Sequence, residues 1–272
     1  GGSGTIALTN VGTITGATFG LTLGGAQGGS IASIIGTTSG TVTKQDTGTW
    51  LLSGANTYTG ATTINAGTLA ITNATGLGTT AAGTTIASGA TLDLQNVAVL
   101  TEAITINGGT LATSTGTSSL SGAITLGATN NTFSVAGTQL TLSGVISGTG
   151  NGFTKEGSGI LVLSNANTYT GTTTISAGTL KVGNAAALGP SIGAGAVSIT
   201  SGAVLDLNGQ SLTNSGTLTI RGTGITSGGA LINSSTTAAS YSGLVALGAA
   251  SSIVGGSGTI ALTNVGTITG AT

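Results

Sequence analysis

The sequence predicts an all-β chain wound as a parallel β-solenoid, and three observations carry that expectation. Residues 1–18, GGSGTIALTNVGTITGAT, return unchanged as residues 255–272, which is a tandem period of 254 residues. Short segments of alternating apolar and hydroxyl residues follow one another between Gly or Asn corners. No stretch sustains the i, i+3, i+4 apolar spacing of a helix, so the crossovers that a doubly wound sheet requires have nothing to form from.

The elements follow in chain order. LLSGANTYTGATTINAGTLAI (51–71) begins with an apolar strand, turns at Ser-Gly-Ala-Asn-Thr-Tyr-Thr-Gly and resumes with strands that point Ile64, Leu69 and Ile71 inward. In TLDLQ (91–95), Leu92 and Leu94 share the inner face, leaving Asp93 to face solvent. Ile104 and Ile106 alternate in the same way. Glu102 has the parity of Leu100 and Ile104, so a corner at Thr101 or Glu102 is expected in place of an inward carboxylate.

The segment VLSNANTYTGTTTISAGTLKV (162–182) repeats 51–71 at a displacement of 111 residues, and the longer internal repeats run over 44–95 and 155–208. Its inward positions are Ile175, Leu180 and Val182, and VLDLN (204–208) adds Leu205 and Leu207. TLTIR (217–221) alternates likewise. The apolar tract LVALGAASSIV (244–254) is short and interrupted by Ser251 and Ser252, so it reads as buried solenoid wall and not as a membrane segment. Strands of about five residues are expected throughout.

Corners select the solenoid over a sandwich. Asn-Gly pairs suited to tight hairpins occur at Asn107-Gly108, Asn151-Gly152 and Asn208-Gly209, whereas Ala66-Gly67, Ser88-Gly89, Ala177-Gly178 and Ser201-Gly202 suit a chain that bends repeatedly in one sense. At about 20 residues per coil the period makes about 12 or 13 coils. The whole of 1–272 is then one continuous solenoid. Its terminal strands expose unpaired backbone groups, and because 255–272 repeats 1–18, each period begins where the previous one stops.

Composition narrows the function. Charged residues are 3% of the chain, four Lys plus Arg against five Asp plus Glu, so no basic stripe is available for nucleic acid. There is no Cys and no His, which removes disulfides, the usual general base and the commonest metal ligands. Asp46, Asp93, Glu102, Glu156 and Asp206 are scattered, and Lys44 with Asp46 and Lys155 with Glu156 read as neutralised corners. No catalytic residue, cofactor or metal is expected.

Two segments of about 28 residues, beginning near Lys44 and Lys155, resemble the passenger-associated repeat of bacterial autotransporters: a short apolar strand, Ser-Gly-Ala-Asn-Thr-Tyr-Thr-Gly, a Thr-rich strand, then Ala-Gly-Thr-Leu and another apolar strand. SGATLDLQ and SGAVLDLN resemble the sequence that commonly follows. The resemblance implies a right-handed parallel β-helix, without substantial helix, on the outside of a Gram-negative cell, an adhesin or structural passenger with no catalytic residue to carry over. The recurring corner residues Asn56, Tyr58 and Gly60, with Asn167, Tyr169 and Gly171, read as turn-forming and core-covering groups.

These readings combine into a non-enzymatic structural repeat of an extracellular β-solenoid fibre, filament or sheath that associates with copies of itself head-to-tail and, given its weak charge, laterally. The alternative is the passenger stalk of an autotransporter-type adhesin, with its glycan or host contact left open. A remoter alternative is ice binding through Thr13-Ile14-Thr15, Thr41-Val42-Thr43 and Thr217-Leu218-Thr219, which are irregularly spaced.

Overall fold

A computed structural model describes residues 4–190, 195–266 and 268–270. The chain is an all-β solenoid of about 12 turns, and every strand pairing among the described residues is parallel. Among the described residues the one helical element is a short 3₁₀ turn at Ile225–Ser227. Parts of the terminal copies, residues 1–3, 267 and 271–272, lie outside the described residues.

Three faces recur in fixed order along the chain. The first face is a 13-stranded sheet running from Ile6–Leu8 to Thr269–Gly270. The second holds Thr13–Ile14 and Ile34–Ile35, then an 8-stranded sheet from Ala98–Val99 to Ile253–Val254. The third holds a 7-stranded sheet from Leu21–Leu23 to Ile146–Ser147, followed by Ser211–Leu212, Ala239–Tyr241 and Ile260–Leu262. Most strands are three or four residues long, shorter than the five expected, because three corners share each turn of about 20 residues.

Register puts like residues over like. On the first face Trp50, Leu69, Leu92, Leu111 and Phe133 form one inward column, and Ile31, Leu52, Ile71 and Leu94 form another. On the second face Leu140, Leu161, Leu180, Leu205 and Leu231 stack in turn. Ile64, Ile175, Val182 and Leu207 are likewise buried. Phe133, Phe153 and Tyr169 meet edge to face inside, with ring centroids 4.8 and 5.4 Å apart.

The outer surface carries columns of hydroxyls. Thr49, Thr68, Thr91, Thr110, Thr132, Thr154, Thr174, Ser198 and Thr219 lie in register on nine successive strands of the first face. β-Branched residues fit this pleated, half-exposed surface. The three Thr-x-Thr triplets fall on three different faces, so they share no plane: Ile14 is on the second, Val42 on the third and Leu218 on the first.

The Asn-Gly and small-residue pairs form corners of the solenoid, and two expectations, on the tract 244–254 and on the charged side chains, are corrected. Asn107-Gly108, Asn151-Gly152 and Asn208-Gly209 turn corners between parallel strands and close no hairpin. Ala66-Gly67, Ser88-Gly89, Ala177-Gly178 and Ser201-Gly202 are also corners, each with its glycine at positive φ. The tract 244–254 is not buried wall: Val245 is buried, yet Leu244, Ile253 and Val254 are exposed. Among the described residues, only Thr269–Gly270 pairs above the strand Val245–Ser251, at Ala246 and Leu247. The charged residues Lys44, Lys155, Asp93, Asp206 and Glu102, placed outside by the sequence, are buried, as described next.

Candidate functional site

The recurring segments build the same polar cluster twice inside an aliphatic interior. Asn56 sits at the corner and spans three rungs: its Oδ1 accepts from the Ile35 N–H at 2.8 Å, and its Nδ2 donates to the Gly76 carbonyl at 2.7 Å. Asn167 does the same with the Ile146 N–H and the Ala187 carbonyl, at 2.8 and 2.7 Å. An amide suits this role because it is donor and acceptor at once, and the rungs below and above offer one group of each kind.

The tyrosines point inward and are fully buried, so neither is a stacking platform for a sugar. The Tyr58 hydroxyl meets Thr62 Oγ1 at 2.6 Å, and that of Tyr169 meets Thr173 Oγ1 at 2.8 Å, so each buried phenol keeps a hydrogen bond. Burial holds both phenols well above the ordinary tyrosine range. Gly60 and Gly171 let the chain cross the rung beneath: a Cβ at Gly60 would lie 2.4 Å from the Gly40 oxygen, and one at Gly171 2.2 Å from the Asn151 carbonyl carbon.

Lys44 and Lys155 are not ion-paired corners. Each side chain is fully buried, and its ammonium donates to three carbonyls: Gln45, Asp46 and Ala66 for Lys44, Glu156, Gly157 and Ala177 for Lys155. Three N–H groups meeting three carbonyls at a corner use the donor capacity of an ammonium in full. Burial lowers both amines, that of Lys155 to about 8, partly opposed by the neighbouring Glu156; Asp46 opposes the shift at Lys44. The parity of Lys44 with Val42 is the sequence signal for this inward direction, since the two flank Thr43 on one strand.

Asp93 and Asp206 do point away from the core leucines, yet side chains of the next rung cover them. Asp93 accepts from the Ser114 N–H and hydroxyl and from Gln95, and Asp206 from the Ser234 N–H and hydroxyl and from the Asn208 N–H. Asp206 also pairs with Lys181 at 3.7 Å. These clamps reach residues in the following rung, so no local pattern announces them. Buried Asn131 and Asn233 bridge rungs in the manner of Asn56, and Asn214 donates to the Leu188 carbonyl of the rung below while accepting from the Gly216 N–H of its own corner; all three were likewise missed.

Glu102 combines the two options that the sequence set against each other. The chain bends at Thr101, and the carboxyl is nonetheless buried, accepting from Thr84 Oγ1 at 2.7 Å. Burial raises its pKa above the ordinary 4.5, an effect that the Thr84 hydrogen bond reduces. It borders a groove of about 470 Å³ beside the first corner, lined also by Ala55, Thr57, Leu77, Thr79 and the 68% exposed Leu100.

Among the described residues the acids form no group of three that could hold a metal ion, and the site is an arrangement for joining rungs. The two clusters belong to a recognised class of module: residues 42–71 and 153–182 each match the Passenger-associated-transport-repeat family. The chain therefore carries two passenger-associated repeats. A curated relative is the Adhesin BmaC autotransporter of Brucella suis biovar 1 (strain 1330), 47% identical over 74 residues, which is 27% of this chain. The matched segment spans 2% of the length of that adhesin. No solved structure matches the chain.

The structure sets the two copies on different faces. Strands Val42–Lys44 and Thr49–Leu52 of the first lie on the third and first faces, whereas Phe153–Glu156 and Ile160–Leu163 of the second lie on the first and second. The 111-residue displacement thus equals five and one-third turns, and the module works at either location because its contacts lie within itself and the adjoining rungs.

Proposed function

We propose that this chain is part of the passenger stalk of an autotransporter-type adhesin, displayed at the surface of a Gram-negative cell and acting as a non-enzymatic spacer. The observation that carries the reading is the use of both family-matched modules as rung-joining clusters, with their Asn, Tyr and Lys side chains buried. A spacer needs length and cohesion along one axis, and stacked rungs supply both. The name of the Brucella relative supports the surface location and the adhesin class.

A second reading, a free fibre growing head-to-tail from its own copies, is favoured by the recurrence of residues 1–18 at 255–272. One pair of measurements separates the two. In the stalk reading, antibodies to the purified chain label intact producing cells, surface protease removes the label, and the purified chain stays a discrete rod about 60 Å long. Filaments that lengthen with protein concentration favour the fibre, and label confined to broken cells overturns both.

A further inference from the structure

The two copies of the terminal sequence occupy different faces. Ile6–Leu8 is the first strand of the first face and pairs with Gly28–Ile31 above it. Its duplicate, Ile260–Leu262, lies on the third face, over Ala239–Tyr241. The chain then passes to the first face at Thr269–Gly270, just as it passes from Ile6–Leu8 to the second face at Thr13–Ile14. Both copies advance one face in the same order, so the offset is a change of phase within one continuous winding.

The phase can be counted. Val245–Ser251 is the twelfth strand of the first face, eleven turns above Ile6–Leu8. From there the chain crosses Ile253–Val254 on the second face and reaches Ile260–Leu262 on the third, a further two-thirds of a turn. We infer that successive 254-residue periods are related by eleven and two-thirds turns, so that each starts one face earlier than the last and orientation recurs only after three periods. The inference rests on the stalk or fibre being built from tandem periods. At about 4.8 Å per turn the axial step is about 56 Å, and three periods close after about 168 Å.

This phase decides what a partner meets. The nine-hydroxyl column from Thr49 to Thr219 occupies the first face in one period, the third in the next and the second in the one after. No single hydroxyl plane runs the length of the rod, so flat side-by-side packing through that column is limited to one period at a time. The groove at Leu100 and Glu102 is likewise presented on all three sides, and a binding partner is offered equivalent surface from any direction.

The absence of cysteine makes a labelling test clean. Three periods joined in tandem, each carrying Ser121→Cys at an exposed corner, are tagged with maleimide gold and imaged by electron cryotomography. Circular dichroism of the 272-residue chain with the same substitution, matching the parent, establishes that the label site is neutral. The expected result is three particles spaced about 56 Å along one rod and stepping round it by a third of a turn each time. Three particles in a straight line along one side overturn the phase while leaving the stalk reading intact. Three separate globules on a string overturn both.

Discussion

At the residue scale, stability in this chain rests on polar side chains that serve two rungs at once. Truncating Asn56 removes partners from the Ile35 N–H and the Gly76 carbonyl together, both inside the wall. Each unsatisfied buried group costs about 1–3 kcal/mol, so Asn56→Ala and Asn167→Ala are expected to lower stability by several kcal/mol each, read as a fall in the urea midpoint. Glu102 gives a pH signature. Its folded pKa lies above its unfolded value, so the folded state holds the proton more tightly. That stabilisation is complete below the unfolded pKa and is lost as pH rises through the folded one. Glu102→Gln keeps an acceptor for Thr84 and removes the ionisation, so its melting temperature should gain on the parent as pH is raised from 4 to 7. A constant difference across that range, in paired thermal melts, would contradict the assignment.

At the scale of the element, the repeat is a corner that plugs one face while strands carry the other two. Its tight point is the glycine that crosses the rung below. Gly171→Ala places a methyl 2.2 Å from the Asn151 carbonyl carbon, so the corner must lift, and a loss of about 1–3 kcal/mol is expected. Hydrogen exchange should show it as opening concentrated at residues 164–176 and in the rungs that flank them. Much of this element was legible in the sequence, because Leu69, Leu180 and their neighbours alternate with period two and the corner recurs at a fixed displacement. The direction of Lys44 is legible by the same parity, against the general rule that a lysine stays at the surface unless its charge is satisfied. The cover over Asp93 was not legible: Ser114 arrives from the following rung, and alternation within one strand carries no information about what the next strand lays across it. The face occupied by each copy was hidden for a related reason, since it depends on the summed length of every intervening corner.

At the scale of the whole molecule, the interior is one column of aliphatic side chains in which every rung is both floor and ceiling. Leu69 lies between Trp50 below and Leu92 above. Leu69→Asp buries an unpaired carboxylate in that column and should cost at least about 3–5 kcal/mol, as should Leu180→Asp between Leu161 and Leu205. Limited proteolysis should then cut near the altered rung and release the two flanking stacks. An unchanged melting curve and digestion pattern would mean that these leucines do not face inward.

Because the ladder bonds run along the axis of the stack, tension applied to its two ends pulls directly on the contacts between neighbouring turns. Such a body has no single breaking load. It yields by peeling, one turn at a time from a loaded end, each turn paying out about 70 Å of slack from its 20 or so residues while those behind it stay wound. A stack of this kind lengthens by whole turns when its two ends are drawn apart.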